Sequence, residues 1–182
     1  MNQHGAFLID ETPCSFEIIN MDTARISTLR QGSLDKIIDE FREFAGHITK
    51  FIDEENRMIQ SFEAISLALI PIEKLQPSQF FVNTEKLNAI NQWLLSEEQV
   101  IIPAVKSEGS FIVIDGHTRL YAAIKKGIEE AFFYTIERPS YIHDFVKEAM
   151  KRNIYSIRNL QELPPDKYEK EWIGFCNNYF NK

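Results

Sequence analysis

Residues 111–124 read FIVIDGHTRLYAAI, and this stretch decides the fold that the sequence predicts. Its first four residues, Phe111–Ile114, form an apolar run of strand length. From His117 onward, apolar residues recur at helical spacing until Gly127, a residue typical of the position that follows a helix. The stretch therefore predicts a strand that ends at Asp115-Gly116 and passes directly into a helix.

The neighbouring segments alternate between strand and helix patterns. The predicted strands cover residues 65–72, 100–106, 111–114 and 131–136, and a helix is predicted to begin at Asn83 or Thr84. The polar, glycine-containing segment 107–110 has the length of a hairpin connection. This order predicts an α/β (α+β) domain with a small mixed sheet over residues 65–137.

The flanking thirds give weaker patterns. Ala6–Ile9 and Phe16–Ile19 resemble short strands, and a clearer helix is predicted between Ser33 and Gly46. The segment around Met58 fits either a second helix or a solvated connector. We predict a mostly helical N-terminal region over residues 1–64 and a helical C-terminal extension over residues 138–182, packed on the central domain.

Charge and composition narrow the function classes. The formal net charge is −7, and residues 1–65 carry 12 acidic and 6 basic side chains. Nucleic-acid binding is therefore possible but not favoured, because proteins that neutralise phosphates usually show a basic surface. Cys14 and Cys176 stand alone, which predicts free thiols without a zinc site. With no apolar run of membrane-spanning length and no signal-peptide pattern, the sequence predicts a cytoplasmic protein with no membrane contact.

The residues between the strand and the helix are the candidates for chemistry. A helix N-terminus offers backbone N–H groups to an anion, Gly116 allows close approach, and Thr118 and Arg119 offer a hydroxyl and a guanidinium. Asp115 could hold a metal ion or orient His117, which could act as an acid, a base or a ligand. The structural alternative is that Asp115 caps the helix and Arg119 only forms an ion pair.

A wider order of motifs accompanies this string. The motifs are IPIEKLQPSQ at residues 70–79, EKL at 85–87, IIPAV at 101–105 and VIDGHTRLYAA at 113–123. In this order they resemble the ParB/sulfiredoxin superfamily, and the resemblance covers about residues 65–137. It implies a ParB/sulfiredoxin-like fold, but the superfamily contains several different activities.

The branches of that superfamily differ at these positions. Sulfiredoxins carry a cysteine where this chain has His117, and partition proteins carry a Gly-Glu-Arg-Arg-like string followed by a DNA-binding domain. The free-serine kinases have the most similar string, in which the Asp and His lie beside the phosphates. Their carboxylate base is replaced here by Gln79, unless Glu73 or Glu85 takes over its role.

Three functional hypotheses follow. The first is a nucleotide- or phosphate-binding protein that takes ATP, ADP or CTP with Mg²⁺, with phosphoryl transfer or NTP hydrolysis as its potential reaction. Asp115 (also the metal ligand) and His117 would then be catalytic, and the binding residues would be Gly116, Thr118, Arg119, Gln79 and Ser78. The alternatives are a ParB-like nuclease or partition-related DNA-binding protein, and a non-catalytic module whose acidic N-terminal third contacts a protein partner.

Overall fold

The computed structural model describes residues 4–9, 12–28 and 32–181. The chain divides into two compact units, Met1–Leu67 and Ala68–Lys182. Each unit contains hydrophobic core residues of its own. The general α+β class predicted from the sequence is confirmed, and the two units are described separately below.

Within its described residues, the first unit contains one five-stranded sheet and one helix. Its elements are β1 (His4–Ile9), β2 (Thr12–Ile18), β3 (Thr23–Thr28), α1 (Asp35–Phe44), β4 (Lys50–Ile52) and β5 (Met58–Ser61). The strands lie in sequence order, and β3 with β4 is the parallel pair among four pairings. The core includes Phe16 and Phe41, whose rings stack with centroids 4.2 Å apart.

The prediction of a mostly helical N-terminal region is wrong. In β2, the buried residues Cys14, Phe16 and Ile18 alternate with half-buried Ser15 and Glu17, which is the period-two pattern of a strand with one buried face. The pattern is short, so strand pairing and not local periodicity decides the structure.

The two interpretations of the Met58 segment are also wrong, because the segment is strand β5, paired with β4. Its apolar residues Met58 and Ile59 are exposed, so their hydrophobicity gave a misleading helical signal.

The helix predicted between Ser33 and Gly46 is present as α1. Helix α1 begins at Asp35, whose backbone N–H donates to Ser33 Oγ at 3.2 Å, and it ends at Phe44, two residues before Gly46.

The second unit contains a five-stranded mixed sheet, a two-stranded sheet and five α-helices among the residues described. Its strands are β6 (Ala68–Pro71), β7 (Leu75–Gln76), β8 (Phe81–Asn83), β9 (Ile101–Ser107), β10 (Ser110–Val113), β11 (Glu130–Thr135) and β12 (Gln161–Leu163). Its α-helices are α2 (Thr84–Asn91), α3 (His117–Lys125), α4 (Ile142–Lys151), α5 (Pro165–Tyr168) and α6 (Gly174–Phe180). The large sheet has the order β6-β11-β9-β10-β7, and β8 pairs with β12.

The predicted strand-to-helix passage is confirmed and lies at the centre of this unit. Strands β9 and β10 form the predicted antiparallel hairpin, and α3 begins at His117 after the turn at Asp115-Gly116. Leu120 and Ala123 of α3 are fully buried in the core. Because β7 and β10 are parallel neighbours, the segments that follow them, Pro77–Gln79 and Asp115–Arg119, start from the same edge of the sheet.

The C-terminal segment belongs to the second unit. Helix α4 confirms the first predicted helix after Pro139, whereas the predicted short helix near Ile157 is a single 3₁₀ turn, Ile157–Asn159. The last predicted helix starts at Pro165 as expected, but it passes through a π-helical turn, Glu169–Ile173, between α5 and α6. Among the described residues, both cysteines are free thiols, and no helix has the length and apolar character needed to cross a membrane.

Candidate functional site

The turn at Gly116 shapes the N-terminus of α3. Gly116 has φ = 87°, in the left-handed region, and a Cβ at this position would lie 2.7 Å from Ile102 Cγ2. Glycine is therefore required by both backbone conformation and space. The first helical hydrogen bond runs from Leu120 N–H to Gly116 O, and Gly116 has no side chain to cap the N–H groups of residues 117–119. A helix end of this kind can accept an anion.

His117 joins α3 to the loop that follows β7. The residue is 3% exposed, and its Nε2 accepts a hydrogen bond from the backbone N–H of Ser78 at 3.1 Å. Ser78 is also buried, and its hydroxyl donates to Val113 O at 2.6 Å. The two predicted site residues are thus brought together, and they lock the Pro77–Gln79 loop against the end of β10.

The protonation of His117 follows from this environment. Burial lowers the pKa of His117 from 6.5 to about 4, and the Asp115 carboxylate offsets part of that change. The ring is therefore neutral at pH 7, with Nε2 as an acceptor and the proton on Nδ1. A catalytic role for His117 stays a prediction, but this geometry excludes a standing imidazolium that would pair with phosphate at neutral pH.

Arg119 is half-buried and anchors the helix to the sheet. Its Nη1 donates to the backbone O of Ile101 at 2.7 Å, while Nε is buried and has no hydrogen-bond partner among the described residues. Burial lowers the pKa of Arg119, and the carboxylate of Asp115 opposes that change. A guanidinium remains protonated well above neutral pH, so Arg119 still supplies a positive charge to the helix N-terminus.

A cavity of about 180 Å³ opens at this helix end, and we call it the α3 cavity. It is lined by Gln79, Lys86, Ile90, Asp115, Gly116, His117, Thr118, Arg119 and Tyr168. Six of the seven predicted site residues are among these nine. The seventh, Ser78, is buried beside the cavity and bonded to His117.

Three residues of the cavity wall were not predicted. Lys86 lies in the first turn of α2, whose N-cap Asn83 accepts hydrogen bonds from Glu85 N–H and Lys86 N–H. Ile90 follows one turn later, and residues at positions i and i+4 of a helix are neighbours on its surface. This spacing was the sequence signal that could have placed Lys86 and Ile90 on one side of the helix. Tyr168 comes from α5, 49 positions beyond Arg119, so no spacing in the sequence predicts that it lines the cavity.

Gln79 reaches across the cavity to the C-terminal segment. Its Nε2 donates to the backbone O of Phe81 and, at 3.3 Å, to the hydroxyl of Tyr168. The two glutamates considered as substitutes for a carboxylate base are not brought here. Glu73 lines a different cavity, and Glu85 is exposed in the first turn of α2.

That second cavity is larger, about 740 Å³, and its walls carry Glu73, Glu97, Glu129 and Glu130 with a single cation, Arg158. Its four carboxylates would repel a phosphate. The two cavities therefore differ in the charge they favour, and of these two the α3 cavity is the one that combines a helix N-terminus with lysine and arginine.

Asp115 is the residue of the α3 cavity suited to a divalent cation. Its carboxylate is exposed at the cavity. Across the described ranges, no group of three or more histidine, cysteine or acidic side chains could enclose a metal ion. Mg²⁺ commonly binds through one or two carboxylates together with substrate phosphates, so one aspartate fits Mg²⁺ carried in by a ligand and not an all-protein metal site.

Comparisons with known proteins leave the family open. No protein-family model matches the chain, and no curated protein matches it. Among solved structures, protein Atu1540 from Agrobacterium tumefaciens is similar with a TM-score of 0.40 and 20% identity over 56% of this chain. The match covers 64% of that structure's length. A likeness of this extent identifies neither a family nor an activity.

Proposed function

We propose that the second unit is a phosphate-binding domain that holds the phosphate end of a nucleotide or of another phosphorylated small molecule in the α3 cavity. The observation that carries this proposal is the convergence of Gln79 with the Asp115–Arg119 string around one cavity at an uncapped helix N-terminus. The motif order that resembles the ParB/sulfiredoxin superfamily predicted this convergence. We therefore include membership of that superfamily in the same proposal.

The charges of the cavity support an anionic ligand. Lys86 and Arg119 contribute two cations, the N-terminus of α3 adds a partial positive charge, and Asp115 is the only anion among the nine lining residues. Thr118 adds a hydroxyl donor in the first turn of the helix. A phosphate would pair with these donors, and Mg²⁺ bound to Asp115 would neutralise further phosphate charge.

The size of the cavity limits what enters it. Pockets that enclose a whole drug-sized ligand measure roughly 300–1,000 Å³, whereas this cavity measures about 180 Å³. It therefore suits a phosphate group, and the remainder of a nucleotide would extend outside it.

The environment of the site favours binding over proton-transfer chemistry. Neutral His117 is committed to Ser78 through Nε2, and Gln79 cannot accept a proton as a glutamate would. Asp115 is left as the one carboxylate of the cavity that could serve a reaction. Phosphoryl transfer or hydrolysis would then depend on Mg²⁺ and on positioning.

Replacing Lys86 by glutamine is expected to weaken phosphate and nucleotide binding about five- to tenfold at low salt, with a smaller loss at high salt. The lysine is exposed, so its attraction to a phosphate is screened by ions. Isothermal titration at two salt concentrations measures both effects. Lys74→Gln is the matched control, because it removes the same charge from an exposed position that lies outside the cavity. Equal affinities of the two variants would contradict the assigned site.

A further inference from the structure

The C-terminal segment contributes one buried polar side chain to the α3 cavity. Tyr168 is the last residue of α5, is 7% exposed and lines the cavity. The helix continues directly into the π-helical turn Glu169–Ile173. Such turns are uncommon and occur frequently at functional sites.

Within the described part of the chain, the hydrogen bonds of Tyr168 leave the proton of its hydroxyl free to donate. Gln79 Nε2 donates to the phenol oxygen at 3.3 Å, so this oxygen acts as an acceptor toward the protein. A phenol can accept and donate at the same time. The side chain of Gln79 is itself held by the backbone O of Phe81, which fixes the direction from which the amide approaches.

The phenol also keeps its proton at neutral pH. Burial, with smaller contributions from Cys176 and Asp115, raises the pKa of Tyr168 to about 12. Lys86 Nζ lies 5.8 Å from the centroid of the Tyr168 ring, so the Lys86 ammonium and the phenol lie on the same side of the site.

We propose that the Tyr168 hydroxyl donates a hydrogen bond to the bound phosphate. This inference rests on the proposed phosphate site. The C-terminal segment is then part of the ligand site and not only a cover for the sheet. Gln79 orients the phenol by occupying its acceptor side, which gives this glutamine a positioning role where a carboxylate would have competed for the proton.

The test compares Tyr168→Phe with Tyr179→Phe by titration with ADP, ATP and inorganic phosphate in the presence of Mg²⁺. Tyr179 is the matched control, since its hydroxyl donates to Asp144 at 2.7 Å on the exposed side of the same segment. We expect Tyr168→Phe to bind about tenfold more weakly, as for a lost hydrogen bond to a charged group, and Tyr179→Phe to bind like the unaltered protein. The thermal midpoints of both variants without ligand report on folding.

Each outcome decides a different point. Equal affinities of Tyr168→Phe and the unaltered protein would overturn the role of Tyr168 while leaving the phosphate site in place. If the unaltered protein binds none of the three ligands, the phosphate site fails and the role of Tyr168 fails with it.

A double-mutant cycle with Gln79→Glu gives a second, independent test. A glutamate at this position would accept the phenol proton and divert it from the ligand, and it would also repel the phosphate. The repulsion is the same in both backgrounds, so the substitution should cost more affinity in the presence of Tyr168 than in Tyr168→Phe. Equal costs in the two backgrounds would overturn the proposal.

Discussion

Replacement of Gly116 by alanine is expected to destabilise the second unit by about 2–5 kcal/mol. A residue with a Cβ in the left-handed region costs roughly 1–2 kcal/mol, and overpacking a filled core adds roughly 1–3 kcal/mol. Both effects apply here, because φ is 87° and the new Cβ would meet Ile102 Cγ2 at 2.7 Å. Ile102 is fully buried in β9, so it cannot move aside cheaply.

Urea unfolding followed by tryptophan fluorescence measures this loss in the correct unit, since Trp93 and Trp172 are the two tryptophans of the chain and both lie in the second unit. Gly127→Ala is the matched control. Gly127 has φ = 80°, but a Cβ there would meet no atom of the described residues within 4 Å, so only the backbone cost of about 1–2 kcal/mol should appear. Similar losses for both variants would show that the contact with Ile102 is not tight.

The second large expected effect is a fall in the free energy of unfolding as the pH is lowered, caused by His117. The folded-state pKa is about 4 and therefore lies below the ordinary value of 6.5, so the unfolded chain binds a proton more readily than the folded one. Its contribution to stability is present above pH 6.5 and is lost as the pH falls toward 4. The difference between the two pKa values corresponds to about 3 kcal/mol at full protonation.

Unfolding free energies measured at pH 7.5 and 4.5 should show this contribution in the unaltered protein and not in His117→Gln. His143→Gln is the control, because His143 is exposed, and it should retain the pH dependence of the unaltered protein. An NMR titration of the His117 ring gives the same answer without a mutation. A ring that becomes protonated near pH 6.5 would contradict the buried, neutral histidine described above.

The predicted and the missed parts of the fold differ in the strength of their local signals. Strand β10 and helix α3 were predicted because an apolar run, a glycine turn and a helical period follow one another in 14 residues, and each signal supports the next. In the first unit, short strands at Ala6–Ile9 and Phe16–Ile19 and the helix before Gly46 were predicted, and they correspond to β1, β2 and α1. The five-stranded sheet was missed, because its strands are short and their partners are distant. In β3, for example, Ala24 pairs with Phe51 of β4, which no local pattern reveals.

The candidate site was likewise predicted where the local sequence signal is strong and missed where the residues meet through distant packing. The string from Asp115 to Arg119 was visible as a strand-to-helix junction, whereas Gln79 joined it only through the order of motifs along the chain. The parallel pairing of β7 with β10 is the physical reason that the two segments meet. Tyr168 could not be predicted, because its place depends on how the C-terminal aromatic residues pack, including Trp172 against Phe80 at 5.0 Å.

The central claim is that the α3 cavity binds phosphate, and a thermal-shift screen of the unaltered protein tests it most directly. The ligands are ATP, ADP, CTP, GTP and inorganic phosphate, each with and without Mg²⁺, with tryptophan fluorescence reporting on the second unit. A ligand present at a hundred times its dissociation constant should add about 2.7 kcal/mol of stability, or several degrees, and the shift should shrink in Asp115→Ala when Mg²⁺ is present. The absence of a shift with every ligand would contradict the claim.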